Sequence, residues 1–202
     1  MVNCLVMDAS ASLLNRARVW WMCVVVFGAI FGAEICRGAA VPLQGGRGIM
    51  ALPAVWQDDQ GQFVRLAQWA GEPVIITMAY GTCRKVCSTS LRRMEEVQAL
   101  ADAAGQNLQF VVVSLDPKAD TPEDWRAFRR VHRLERGNWH FIRGTPKDTR
   151  TLASLLGIGY WLYDDHVVHD FRVLRLGLHG EIEAMLTLAS DAPSELVTVK
   201  PR

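Results

Sequence analysis

Two apolar runs constrain this chain more than anything else in it. Val74-Ile75-Ile76-Thr77-Met78 and Leu108–Leu115, with Phe110-Val111-Val112-Val113 at its centre, are continuous rather than alternating. That is the pattern of strands covered on both faces. Between them lies a helical pattern with Leu91, Met94, Val97 and Ala101 on one face. Parallel strands need a crossover of about this length, and such crossovers are right-handed. The two runs are therefore expected as adjacent parallel strands joined by that helix. The stretch leading from the first run into the helix is Tyr80-Gly81-Thr82-Cys83-Arg84-Lys85-Val86-Cys87-Ser88. Cys83 and Cys87, four positions apart at the first helical turn, can present their sulfurs on one face. The helix N-terminus and the cations Arg84 and Lys85 favour thiolates there. Such a pair can cycle between dithiol and disulfide, or hold a soft metal.

The remaining segments build a sheet around this unit. Ala51–Trp56 and Gln62–Leu66 read as a hairpin about Asp58-Asp59-Gln60-Gly61. Thr121-Pro122-Glu123-Asp124 starts a helix, with Thr121 as cap, Pro122 in the first position and acids in the first turn. His140–Arg143 is a short strand. Thr145-Pro146-Lys147-Asp148 repeats the helix start, and that helix runs to Leu156. Phe171–Leu176 and Ile182–Leu188 form a closing hairpin across His179-Gly180. This order describes an α/β fold, a central mixed sheet with helices on both faces and an N-terminal hairpin. A strand, then a cysteine pair, then the helix it opens, resembles the thioredoxin-like fold.

The N-terminus reads as an export segment. Arg16 and Arg18 precede an apolar stretch, Val19 to Ala33, and Gly38-Ala39-Ala40 supplies small residues for cleavage. Residues 1–40 are expected to be a signal peptide or membrane anchor, cleavage being preferred because the run is short for a span. Residues 41–50 are a linker, and 51–202 the folded domain. Cys4, Cys23 and Cys36 would leave with the signal, so the domain would keep only Cys83 and Cys87. Outside the cytoplasm a cysteine pair is usually a structural bridge, but one closing so short a loop constrains the unfolded chain little. The net charge of +1 gives no electrostatic case for nucleic acid.

A third ligand would separate metal binding from redox. Of the five histidines, His132 reads as solvated at the end of a helix, His140 as a packing residue beside Trp139, and His179 as a turn residue. His166 and His169 lie in the segment Tyr163–His169, read as a loop before a central strand. In a thioredoxin-like fold that loop faces the cysteine turn.

Taken together, the cysteine turn, the segment Val113-Ser114-Leu115-Asp116-Pro117 with Asp120-Thr121-Pro122-Glu123, and a histidine eleven residues before Gly180-Glu181 resemble the Sco/SenC family. The resemblance covers about Leu52 to Leu188. It implies an exported thioredoxin-fold protein, periplasmic and either soluble or held at the inner membrane, that binds copper as Cu(I) or Cu(II). It implies Cys83, Cys87 and one loop histidine as ligands. Spacing to Gly180-Glu181 selects His169, whereas the Asp-His dipeptide usual in the family matches Asp165-His166. The implied role is assembly of the copper centre of cytochrome c oxidase, and the implied partner the copper-site subunit of a terminal oxidase. The alternative is a thiol–disulfide reductase using Cys83 and Cys87 without His169. The family usually carries a proline after each cysteine and an acid between them; here Arg84, Lys85 and Ser88 stand in those places, and Val168 replaces the acid before the histidine. A peroxidase of the peroxiredoxin class is excluded by spacing, since Thr82 sits directly against Cys83.

Overall fold

Strand β3 (Val74–Ala79) is the spine of the molecule, and all six of its residues are buried. The computed structural model describes residues 48–81, 86–164 and 166–198, save the side chains of Val86, Cys87 and Ser88. All of these belong to the unit Ala40–Arg202. The expected export segment lies outside the described residues.

Strand β4 (Gln109–Ser114) runs parallel to β3, from Val74 opposite Gln109 to Ala79 opposite Ser114. Helix α1 (Val86–Ala103) makes the crossover, as the two apolar runs required. Its core face is Leu91, Met94, Val97 and Ala101, all buried. It stops where Gly105 turns left-handed at φ +65. There Gln106 N–H reaches Ala101 O at 2.9 Å and Gly105 N–H reaches Asp102 O at 3.1 Å, the paired bonds of a Schellman stop.

The seven-stranded sheet has the order β2-β1-β5-β4-β3-β8-β9, with β1 (Trp56–Asp58), β2 (Phe63–Val64), β5 (Trp139–Arg143), β8 (Val173–Leu176) and β9 (Ile182–Leu186). β5 is parallel to β4, and β8 antiparallel to β3, so the sheet is mixed. Successive side chains of β3 and β4 point to opposite faces. Nearly all are buried, so both faces of the centre are covered. Helices α2 (Pro122–His132) and α3 (Pro146–Leu155) start as expected, with Thr121 and Thr145 each accepting from the backbone N–H three residues on. They supply Trp125, Leu152 and Ala153 to the core.

Two segments depart from the sequence reading. The first hairpin is shorter than expected, because Ile49–Ala51 and Leu66–Trp69 form 3-10 turns. Leu66 and Trp69, three apart, bury together only if the chain coils there. Pro53 also has no N–H to offer a ladder. The second departure concerns the segment read as a loop. Tyr160–Tyr163 (β6) and His166–His169 (β7) form a separate antiparallel hairpin, pairing Tyr160 with His169 and Tyr163 with His166. Asp164, at φ 49, occupies the left-handed region a tight turn needs. His166 and His169 are therefore strand residues, not loop residues.

Candidate metal centre

β3 delivers the chain to the cysteine turn. After Ala79 come Tyr80 and Gly81, and α1 opens at Val86, which places Cys87 in its first turn. Cys83 and the side chain of Cys87 lie outside the described residues. The approach to the turn is held from the side. The last rung of the β3–β4 ladder is Ala79 opposite Ser114, followed by Leu115 N–H donating to Ala79 O at 2.8 Å. Gly81 N–H then donates to Asp120 Oδ1 at 2.9 Å, while Ser114 Oγ donates to Oδ2 at 2.5 Å. Burial pushes the Asp120 carboxyl up to about 6. The two hydrogen bonds oppose that rise, and the neighbouring charges of Asp116 and Asp124 add to it.

His169 arrives from the other side. Along β7, Val167 and His169 turn inward while His166 is exposed, since alternate strand residues face opposite ways. His169 is 6% exposed. Its Nδ1 lies 2.9 Å from Asp170 O; a carbonyl only accepts, so Nδ1 is the donor and Nε2 is the nitrogen left for another partner. Its ring meets Tyr80 edge-on, with centroids 6.2 Å apart, and Tyr80 is three residues before Cys83. The hairpin base is locked: Asp170 N–H donates to Gly159 O at 3.0 Å, and Gly159 N–H donates to Asp170 Oδ2 at 2.9 Å. Two residues further on, Arg172 O accepts from Thr77 Oγ1 at 2.6 Å. That bond fastens the segment after His169 to β3 itself.

His132 ends α2, exposed, its ring 4.2 Å from Phe128. His140 packs on Trp69 at 5.0 Å and its Nε2 sits 2.9 Å from Gln109 Oε1; burial pushes its imidazole pKa down. His179 is exposed in the β8–β9 turn. A cavity of about 570 Å³ opens where β4 begins, lined by Glu72, Gln98, Asp102, Arg136 and Asn138. Its groups pair among themselves, Arg136 with Asp102 and Asn138 with Gln98, and it lies at the end of β4 away from Ser114.

Among the described residues no group of three His, Cys, Asp or Glu side chains could hold a metal ion. A centre here needs Cys83 and Cys87 to complete it. The donor chemistry fits: two sulfurs and an imidazole nitrogen suit a soft ion such as Cu(I). Sequence reasoning missed Tyr80 and the Asp120 clamp. The signal for Asp120 was an acid placed directly before Thr121, which already caps the helix.

The SCO1/SenC family model matches residues 55–190. The chain belongs to the SCO1/SenC family. The SCO1 protein homolog of Bacillus subtilis is 25% identical over 134 residues, which are 64% of this chain and 69% of that protein. Arabidopsis thaliana ScoI, solved with copper bound, superposes with a TM-score of 0.64 at 17% identity, over 72% of this chain and 92% of that one. BsSco, described as carrying a disulfide switch and as a member of the Sco family of cytochrome c oxidase assembly proteins, superposes at 0.60 and 19%, over 71% and 85%. The thioredoxin-like α/β fold of this SCO1/SenC chain is shared with these neighbours. Among the described residues no helix is long and apolar enough to cross a membrane.

Proposed function

We propose that this SCO1/SenC chain carries copper as cargo on Cys83, Cys87 and His169. It delivers the ion outside the cytoplasm to the copper-site subunit of a terminal oxidase. The observation that carries the reading is the placement of His169: buried, with Nδ1 occupied by Asp170 O and the ring against Tyr80. A histidine met only in the last quarter of the chain thus stands beside the strand that feeds the cysteine turn. Two thiolates and one imidazole leave a coordination position open, which ligand exchange to an acceptor requires. Copper-bound Arabidopsis ScoI supports the choice of metal. The charged start and apolar run before Ala40 support export and a periplasmic address.

A second reading, a thiol–disulfide reductase acting on cysteines of that subunit, is favoured by one feature. α1 opens at Val86 beside Arg84 and Lys85, and a helix start with adjacent cations makes a thiolate easier to form. Anaerobic Cu(I) titration of the reduced protein separates the readings. Wild type binds one ion. Cys83→Ser and Cys87→Ser lose it, His169→Ala weakens it by at least about tenfold, and His166→Ala leaves it unchanged. Loss in His166→Ala with retention in His169→Ala would move the ligand to the outer face of β7. No binding by wild type would leave the reductase.

A further inference from the structure

Asp120 is the most deeply buried carboxyl among the described residues, at 2% exposure. The cap of α2 does not use it, since Thr121 Oγ1 already accepts from Asp124 N–H. Its two oxygens bridge Ser114, the last residue of β4, and Gly81, the second residue past β3. The ladder between these strands ends at Ala79 and Ser114. Beyond it, the Asp120 side chain takes the place of the next rung. Gly81 suits the contact: a Cβ there would stand 3.1 Å from Asp120 Oδ1, tighter than ordinary packing. The surrounding charges do not account for the burial. Asp116 and Asp124 are acids that disfavour ionisation, and Arg143 Nη1 reaches the main-chain carbonyl of Asp120, at 3.4 Å, rather than its carboxyl. An apolar side chain could fill the space at lower desolvation cost, but it could not hold the Gly81 N–H.

We infer that Asp120 is a positioning residue: acting through Gly81, it fixes where the turn bearing Cys83 and Cys87 leaves β3, and so the geometry in which the two sulfurs meet each other and a metal. The inference rests on those cysteines being the working pair. From Gly81 to Cys83 the chain can span only about 7 Å, so a displacement at Gly81 is carried to the first sulfur.

Three variants test this on the whole domain. Asp120→Ala removes the clamp. Asp120→Asn keeps it, because the amide oxygen can accept from Gly81 N–H while the amide nitrogen donates to Ser114 Oγ. Ser114→Ala removes only one arm. The readouts are hydrogen exchange at the Gly81 amide, the midpoint potential of the Cys83–Cys87 disulfide in a dithiothreitol buffer, and Cu(I) affinity. In the buffer, two electrons and two protons pass from dithiothreitol to the bridge as the reagent closes its own ring disulfide. Asp120→Ala should speed Gly81 exchange by roughly tenfold, as loss of a hydrogen bond to a carboxylate implies. It should move the disulfide equilibrium by a comparable factor, about 30 mV, and weaken copper binding. Asp120→Asn should restore all three to near wild type. Wild-type exchange and potential in Asp120→Ala, or an Asn variant that behaves like Ala, overturns the inference. Should Asp120→Ala fail to fold, Ser114→Ala carries the test: faster Gly81 exchange supports it and unchanged exchange overturns it. Shifted exchange and potential in a protein that binds no copper would leave the clamp standing and remove the cargo reading.

Discussion

The imidazole of His169 stands edge-on to the ring of Tyr80, at 6.2 Å between centroids and 78° between planes. One residue closes β7; the other follows β3 and precedes the cysteine turn. Their contact joins the two halves of the proposed centre, and it adds to the Nδ1 bond to Asp170 O in orienting the ring.

Removing that contact should therefore be felt in metal binding. An aromatic pair of this geometry contributes about 0.5–1.5 kcal/mol beyond area burial. Tyr80→Leu should lower Cu(I) affinity by up to about tenfold, with a similar loss of stability in urea, whereas Tyr80→Phe keeps the ring and should lose less. Unaltered affinity in Tyr80→Leu, measured by chelator competition, would show that the ring contact has no part in the site.

Copper should stabilise the folded domain, because the three proposed donors would come together only in the fold. At a free concentration about one hundred times Kd the gain is roughly 2.7 kcal/mol. Thermal unfolding of the reduced protein should shift upward with Cu(I). Cys83→Ser and Cys87→Ser should show no shift, and an equal shift in all three proteins would place the metal elsewhere.

Asp120 should leave a signature in the pH dependence of stability. Its carboxyl rises from 3.8 to about 6 on folding, mainly through burial. A raised folded pKa means the folded state binds the proton more tightly. The associated stability is present below pH 4 and lost as pH climbs through about 6. The rise corresponds to at most roughly 3 kcal/mol. Asp102, Glu123, Asp124 and Asp191 are pulled the other way by their hydrogen bonds, so the comparison must be between wild type and Asp120→Asn. Between pH 4 and 7 the Asn variant should gain on wild type. Parallel stability curves would mean that Asp120 does not titrate in this interval.

Much of the architecture was legible because it rests on local, repeated chemistry. The both-face apolar runs became β3 and β4, in register over six pairs. Leu91, Met94, Val97 and Ala101 became the inner face of α1, and the two Thr-Pro starts became capped helices. The β6–β7 hairpin was not legible. Tyr160-Trp161-Leu162-Tyr163 shows no alternation and is largely exposed, so it lacks the pattern that marks a half-buried strand. The alternation in β7 is only four residues long, too short to separate strand from loop. β7 turns His169 inward and leaves His166 exposed, and spacing alone held no information about that face. The Asp120 clamp joins residues 39 positions apart through one side chain, and no periodicity announces such a bond.

The bond from Thr77 to Arg172 has a consequence in time. Cys83 leaves the ribosome 86 residues ahead of His169, an interval on the order of ten seconds at ordinary synthesis rates. Throughout it, the sulfurs exist without the imidazole, and the imidazole cannot be seated until β8 has docked against β3. A chain interrupted before that docking would carry both cysteines and still lack the proposed third donor, so tightly held cargo would certify that synthesis had passed β8.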